Sequence, residues 1–425
     1  MLTFKANSLR HDIIKDLERL IGYQMDQEEV LSIIDGIRED NSTSLNLAKQ
    51  GLTSLPPELF TLTNLTELNL RENELDEIPP EIGNLTNLYR LNLASNKLTS
   101  LPKEIGKLTN LGRLNIGSNQ LVALPDEIGN LTKVTWFYLT NNQIASLPSS
   151  IGNLTALTEL QLGGNAVSSL PSEIGQLSSL TELQLSGNQL TSLPPEIGQL
   201  ENLEKLYLQG NQITSLPSEI GNLGSLSWLY LQGGNQIDVL PLEIGNLQSL
   251  TGLYLEGNNI SELPQEISNL NNLIWLDLEG NNLWELPSYI CQLTLLIQLN
   301  LRGNRLTEIP PDIGNLTDLT YFDLEGNLLE EIPKEIGNLE RLTEFHVNNN
   351  LLKSLPEQMG DLLELVDLYL SNNHLTEIPD AMSKLVHLES LHLSDNSIVQ
   401  LAPWLQELLA QEILFISGNP VAAQD

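Results

Sequence analysis

Asp323, His346, Tyr369 and His392 follow one another at intervals of 23 residues. Two imidazoles and a carboxylate are the donor set of a zinc ion or of an acid–base relay. Residues that recur at the length of a repeating coil sit on neighbouring strands, which lie about 4.8 Å apart. His346 and His392 would then stand about 10 Å apart across Tyr369, wide for a shared ion, and no supporting groups that would orient them are evident. A polar ladder on a solvated strand face accounts for the same residues, so no metal ligand is assigned.

Other reactive side chains offer less. Cys291, in "YICQLTLL", is the sole cysteine and has no histidine or other base beside it, which suits a small packing residue better than a nucleophile. The motifs H-E-x-x-H, G-x-S-x-G, the EF-hand loop and the phosphate loop G-x-x-x-x-G-K-[ST] are all missing. Glu81, Glu104, Glu127, Glu173, Glu196, Glu219, Glu243, Glu266 and Glu335 share one coil position, where a helical dipole and solubility explain them. They form a ladder, not an acid–base pair. Neither an enzyme nor a bound cofactor is expected.

The recurrence itself identifies the element that carries these residues. From Leu68 the pattern L-x-L-x-x-N-x-L repeats every 23 residues, placing Asn73, Asn96, Asn119, Asn142, Asn165, Asn188 and Asn211. One interval of 24 leads to Asn235, and the period of 23 then resumes through Asn258, Asn281, Asn304, Asn327, Asn350, Asn373, Asn396 and Asn419. Gln50 holds the same place in a degenerate first copy, so seventeen coils run from about Ser44 to Val421. In "IPPEIGNLTNLYRLNLASNKLTS", residues 78–100, the "LYRLNL" segment alternates apolar and polar residues as a half-buried strand does. Asn96 follows at a tight bend, where an amide with two donors and two acceptor lone pairs can serve its own coil and the next. The "IPPEIGNLTNL" segment then returns along the outside, with Pro79 near a helical first turn and Ile82, Leu85 and Leu88 facing inward. No coil can bury its apolar side alone, so the stack must share one core.

With sixteen near-perfect copies of this pattern, the chain resembles leucine-rich repeat proteins of the 23-residue bacterial and intracellular type, including the Ras-group-related intracellular ones. The entry segment "EEVLSIIDGIREDNSTSLNLAKQGLTSLPPEL", from Glu28, is similar to cyanobacterial-type and Roco-associated repeat domains. The resemblance implies an α/β solenoid: a horseshoe with a parallel concave sheet of about 17 coils, short helical, 3₁₀ or extended convex segments, and an N-terminal helical cap. The expected division is a cap over 1–42, repeats over 43–400, and a capping repeat with tail over 401–425. In the cap, Ile13, Ile14, Leu17, Leu20 and Ile21 line one helical face closed by Gly22. A second helix starts at Asp26 with Glu29 three residues on, and Val30, Leu31, Ile33, Ile34 and Ile37 form its stripe. Capping explains these helices, with dimerisation as the rival. Trp404, Leu405, Leu408 and Leu409 predict a short amphipathic helix before the closing coil.

Acidic residues outnumber basic ones 55 to 20, for a net charge of -35, which disfavours nucleic acid and anionic membrane as partners. A lone cysteine and the lack of a hydrophobic signal run lead to the expectation of a cytoplasmic protein.

Function is then sought among residues projecting from the strands into solvent. The first coils offer Arg71, Arg90 and Arg113 beside Asn69, Asn92 and Asn115, a small basic and amide strip, followed by Trp136 and Tyr138. Tyr207, Tyr230 and Tyr254 share one position in three successive coils, and Trp228 and Trp275 flank Gly252 in the adjacent row. Lys205, Gln209, Gln232, Glu256, Asp277 and Glu279 surround them, with Tyr321, Asp323 and Glu325 further on. Trp and Tyr inside a charged rim have the composition of a protein-interface hot spot. The extra residue at Gly233 or Gly234 is expected to make a bulge that re-aims the sheet beside Tyr230. The expected function is a non-catalytic scaffold that binds a partner protein or peptide, through apolar or basic side chains, on the concave face. The alternatives are a regulatory or sensor module for a Roco-type GTPase acting in trans, and more distantly a carbohydrate-binding surface.

Overall fold

The structure, a computed structural model, describes residues 25–423. It comprises two compact units, Met1–Gln189 and Leu190–Asp425. In the first, helix α1 (Gln27–Asp40) precedes seven strands, from β1 (Ser44–Asn46) to β7 (Glu182–Gln184). In the second, ten strands run from β8 (Lys205–Tyr207) to β17 (Leu414–Phe415), with helix α2 (Pro403–Ala410) before the last. Within each unit successive strands pair in parallel, each opposite the equivalent residues of the next coil, as Leu91 is opposite Leu114 and Leu253 opposite Leu276. The strands are short because only three residues separate the turn behind from the bend ahead, and in each of these the central Leu or Phe is buried.

The return segments are 3₁₀ turns. In one coil Pro79 caps the turn Pro80–Asn84, Glu81 sits in its first turn, and Ile82, Leu85 and Leu88 are fully buried. Cys291, in the equivalent turn Ser288–Gln292, is fully buried, and burial pushes its thiol up to about 12. It is a packing residue.

The bends hold the coils together. The amide of Asn96 donates to the carbonyl of Leu93 in its own coil and of Leu70 in the preceding one, both at 3.0 Å, while its Oδ1 accepts from the Leu75 N–H at 3.1 Å. Each bond satisfies a buried backbone group that no strand ladder reaches. The residue just before each ladder asparagine adopts a left-handed backbone, as at Ser95, φ 57°, and Gly257, φ 68°.

The extra residue of the 24-residue coil lies in this bend. Gly233 and Gly234 both take positive φ, 63° and 100°, which glycine adopts without a Cβ penalty. Asn235 still donates to Leu208 and Leu231 and accepts from Ile213. The pairing of Trp228 with Gly252 and of Tyr230 with Tyr254 is unshifted. The expected bulge is therefore absent and the strand face is not re-aimed: two consecutive left-handed residues absorb the insertion before it reaches the ladder.

At the N-terminal end, the Asp26 carboxylate accepts from the Glu29 N–H, and the Glu29 carboxylate accepts from the Asp26 N–H, both at 2.9 Å. Val30 and Ile34 of α1 are buried; Leu31, Ile33 and Ile37 are half-buried. The expected first cap helix, with Ile13, Ile14, Leu17, Leu20, Ile21 and Gly22, lies outside the described residues. In α2, Leu405 is buried and Trp404 and Leu408 are half-buried, but Leu409 faces solvent. The buried stripe is narrower than expected because the eight-residue helix makes barely two turns.

Asn142→Ala removes bonds to Ile116, Leu139 and Leu121 at 3.1, 2.9 and 3.0 Å; the Ile116 and Leu139 carbonyls keep the amides of Asn119 and Asn165, but the Leu121 N–H is left buried without its acceptor. We expect a loss of about 2–4 kcal/mol, measured as a lower urea midpoint. A loss under about 0.5 kcal/mol would show that the ladder is dispensable.

Candidate functional site

Fixed coil spacing brings the second unit's aromatic residues into a slab. Tyr207, Tyr230 and Tyr254 occupy equivalent positions on adjacent strands, so their rings stack at 4.7 and 4.8 Å, within 4° and 7° of parallel. Trp228 leans over Gly252 to reach Trp275, with ring centroids 5.0 Å apart. A Cβ on Gly252 would meet the Trp228 ring at 2.5 Å, so the glycine's missing side chain is what lets the two indoles meet. All five rings are half-buried, against one another and the strand backbone, with the remaining area open to solvent.

The rim is polar. The side-chain oxygens of Gln209 and Gln232 are buried without a hydrogen-bond partner. Burial raises the Asp277 carboxyl, partly offset by the Glu279 N–H, which donates to it at 3.0 Å. Glu279 accepts from Asn300 at 3.0 Å, and Arg302 lies 3.7 Å from Glu279 and 3.1 Å from Glu325. Glu256 is exposed.

Further along the same unit, Asp323, His346, Tyr369 and His392 do align, but as part of a ring stack. His346 lies 4.3 Å from Tyr369, which lies 4.6 Å from His392, which lies 4.3 Å from Phe415. Tyr321 flanks His346 at 5.3 Å and donates its hydroxyl to Asp323 at 3.1 Å. Asp323 is only 2% exposed; desolvation raises its carboxyl, and the Glu325 N–H at 2.8 Å opposes the rise. Among the described residues no three His, Cys, Asp or Glu side chains are placed to hold one metal ion. Sequence reasoning missed Phe415 as the end of the stack, although it stands 23 residues after His392.

In the first unit, Trp136 and Tyr138 are 6.3 Å apart and tilted by 54°. The Tyr138 hydroxyl donates to Glu159 at 2.8 Å; burial first, and that bond second, push the phenol up to about 12. The three arginines do not form one strip. Arg90 and Arg113 are paired across adjacent strands in the row Glu67, Arg90, Arg113, Trp136, but Arg71 lies beyond its strand and pairs with Glu72 at 3.0 Å. Arg90 pairs with Glu67 at 2.9 Å, and the Arg113 guanidinium lies 3.6 Å from the centre of the Trp136 ring. These residues line a pocket of about 410 Å³ with Asn46, Asn69, Asn92 and Asn115. Of these, Asn46 was missed by sequence reasoning because its coil is the degenerate one.

Comparison with known families finds the leucine-rich repeat region over residues 172–256, 252–320 and 311–415. Further leucine-rich repeat descriptions match residues 86–144 and 63–103. No curated protein matches the chain. Among solved structures, a leucine-rich repeat protein of Leptospira interrogans is 37% identical, covering 82% of this chain and 95% of its own, with a TM-score of 0.74. A TDR receptor is 28% identical over 92% of this chain and 70% of its own, at 0.78. The structure of PEPR1–AtPEP1 is 30% identical over 84% of this chain but only 56% of that one, at 0.62.

Two substitutions test the site's construction. Gly252→Ala forces the Trp228 ring off its seat, so stability should fall by about 1–3 kcal/mol and the near-UV circular dichroism of the coupled indoles should weaken. An unchanged spectrum would contradict the overlap. His392 is held below its ordinary 6.5 first by burial, with His346 adding and Asp367 opposing. Its folded pKa being the lower one, its contribution is fully present above the unfolded value and is lost as pH falls from there through the folded pKa. His392→Phe keeps a ring between Tyr369 and Phe415 without the titration, and should flatten the fall in melting temperature between about pH 7 and 5; an identical pH slope would assign the acid sensitivity elsewhere.

Proposed function

Since the chain belongs to the leucine-rich repeat family, we propose that it is a protein-recognition module whose partner docks on the ring-lined strand face of the second unit. Proteins of this family and fold are generally non-catalytic interaction domains. The neighbour PEPR1, solved as PEPR1–AtPEP1, supports a peptide or protein as the class of partner.

The observation that carries the reading is the slab of Trp228, Trp275, Tyr207, Tyr230 and Tyr254. Stacking on their neighbours restricts these rings before any partner arrives, so little side-chain freedom is left to lose on binding. The rim selects the chemistry of the contact. Asp277, Glu279 and Glu256 favour a cation. A partner segment that lays Arg or Lys over the open part of an indole gains about 0.5–2 kcal/mol from the ring. A basic or mixed basic and apolar segment therefore fits best. The cytoplasm is the compartment we propose, on the ground that a single cysteine cannot form an internal disulfide.

The test is affinity capture from native extract with the wild-type chain and a Trp228→Ala/Tyr230→Ala/Trp275→Ala variant matched by circular dichroism. For a captured protein, each tryptophan truncation should weaken binding by roughly thirtyfold, as for interface anchors worth about 2 kcal/mol. Equal retention by both chains would exclude the ring face. Competition by soluble sugars, or dependence on a GTPase and its nucleotide, would replace this reading with one of the alternatives.

A further inference from the structure

The first unit carries a separate site of opposite polarity. Asn46, Asn69, Asn92 and Asn115 lie side by side on four adjacent strands. Each turns its side-chain oxygen to the backbone N–H two residues ahead, at 3.1, 3.2, 3.1 and 3.0 Å. Because that backbone group can only donate, the orientation of each amide is settled, and the NH₂ is the end left for the pocket. Four donors in a row span about 14 Å, the length of about four residues of extended chain.

The neighbouring row supplies charge. Arg90 is already paired with Glu67, but among the described residues Arg113 has no carboxylate partner, and its Nε is buried without an acceptor. Its guanidinium is held in place by Trp136 beneath it. The pocket's volume of about 410 Å³ suits a short segment and not a folded surface.

We propose that this pocket binds an extended peptide segment through one acidic side chain, the carboxylate on Arg113 and the backbone carbonyls on the asparagine amides. Arg113 stands two residues before Asn115 on the same strand, so the charge and the donor row run parallel and about 6.6 Å apart. A Glu or Asp side chain reaching sideways from a backbone on the donor row spans that gap. A terminal carboxylate, in line with its own backbone, does not. The chain's net charge of -35 selects a single acid over an acidic run. Screening over about 8 Å leaves Arg113 dominant at contact, whereas each further carboxylate meets the acidic surroundings.

The experiment is an array of capped pentapeptides with randomised flanks and a central Glu, Asp, Gln or Lys, probed with the full chain, Arg113→Gln and Asn92→Asp. The second variant keeps the oxygen that the Ala94 N–H needs and replaces a donor by a charge that repels the ligand. Glu and Asp should be enriched over Gln in the wild type, and each variant should weaken the selected peptides by roughly tenfold or more. Equal recovery of Gln and Glu peptides, or undiminished binding to Arg113→Gln, would overturn the assignment. If selection requires an uncapped C-terminus, the side-chain contact is wrong.

Discussion

Every property of the strand face descends from the buried asparagine at each bend. A parallel strand of three residues is too short to fix its own register, and its coil cannot close a core alone. The amide does both tasks, because one side chain donates to two coils and accepts from one of them. Once the bends are locked, residues at equivalent positions are brought to the interstrand distance, which is also the stacking distance of aromatic rings. The tyrosine slab, the His–Tyr–Phe stack and the asparagine donor row are three results of that coincidence of lengths.

The coil, its period and its ladder were legible from sequence because each residue's role is repeated and exposes itself as a pattern. Neighbourhood along the solenoid was legible for the same reason: adding 23 to a residue number finds the adjacent side chain, as it does for Tyr207 and Tyr230. What periodicity does not carry is how far a side chain leans. Arg71, Arg90 and Arg113 look equivalent as a list, yet Arg71 belongs to the bend and Arg113 lies on an indole. The histidines kept the predicted order, but ring stacking, not ion binding, is what their spacing of under 5 Å from Tyr369 supports. The insertion at Gly233 and Gly234 was read as a bulge because sequence shows an extra residue without showing which backbone region takes it up.

The two units use one scaffold for opposite ends. In the first, amide donors and an arginine that has no carboxylate partner among the described residues offer positive character in a strongly acidic chain; in the second, aromatic faces and carboxylates offer negative character.

The double-glycine bend bears on how such a chain can change over generations. Because Asn235 kept all its bonds with one more residue before it, the bend behaves as slack between two rigid parts. A gain of one residue there is silent on the strands, so a copying error of that kind need not scramble the strand face. Coil length and the identity of the outward residues can thus drift separately on an inherited frame.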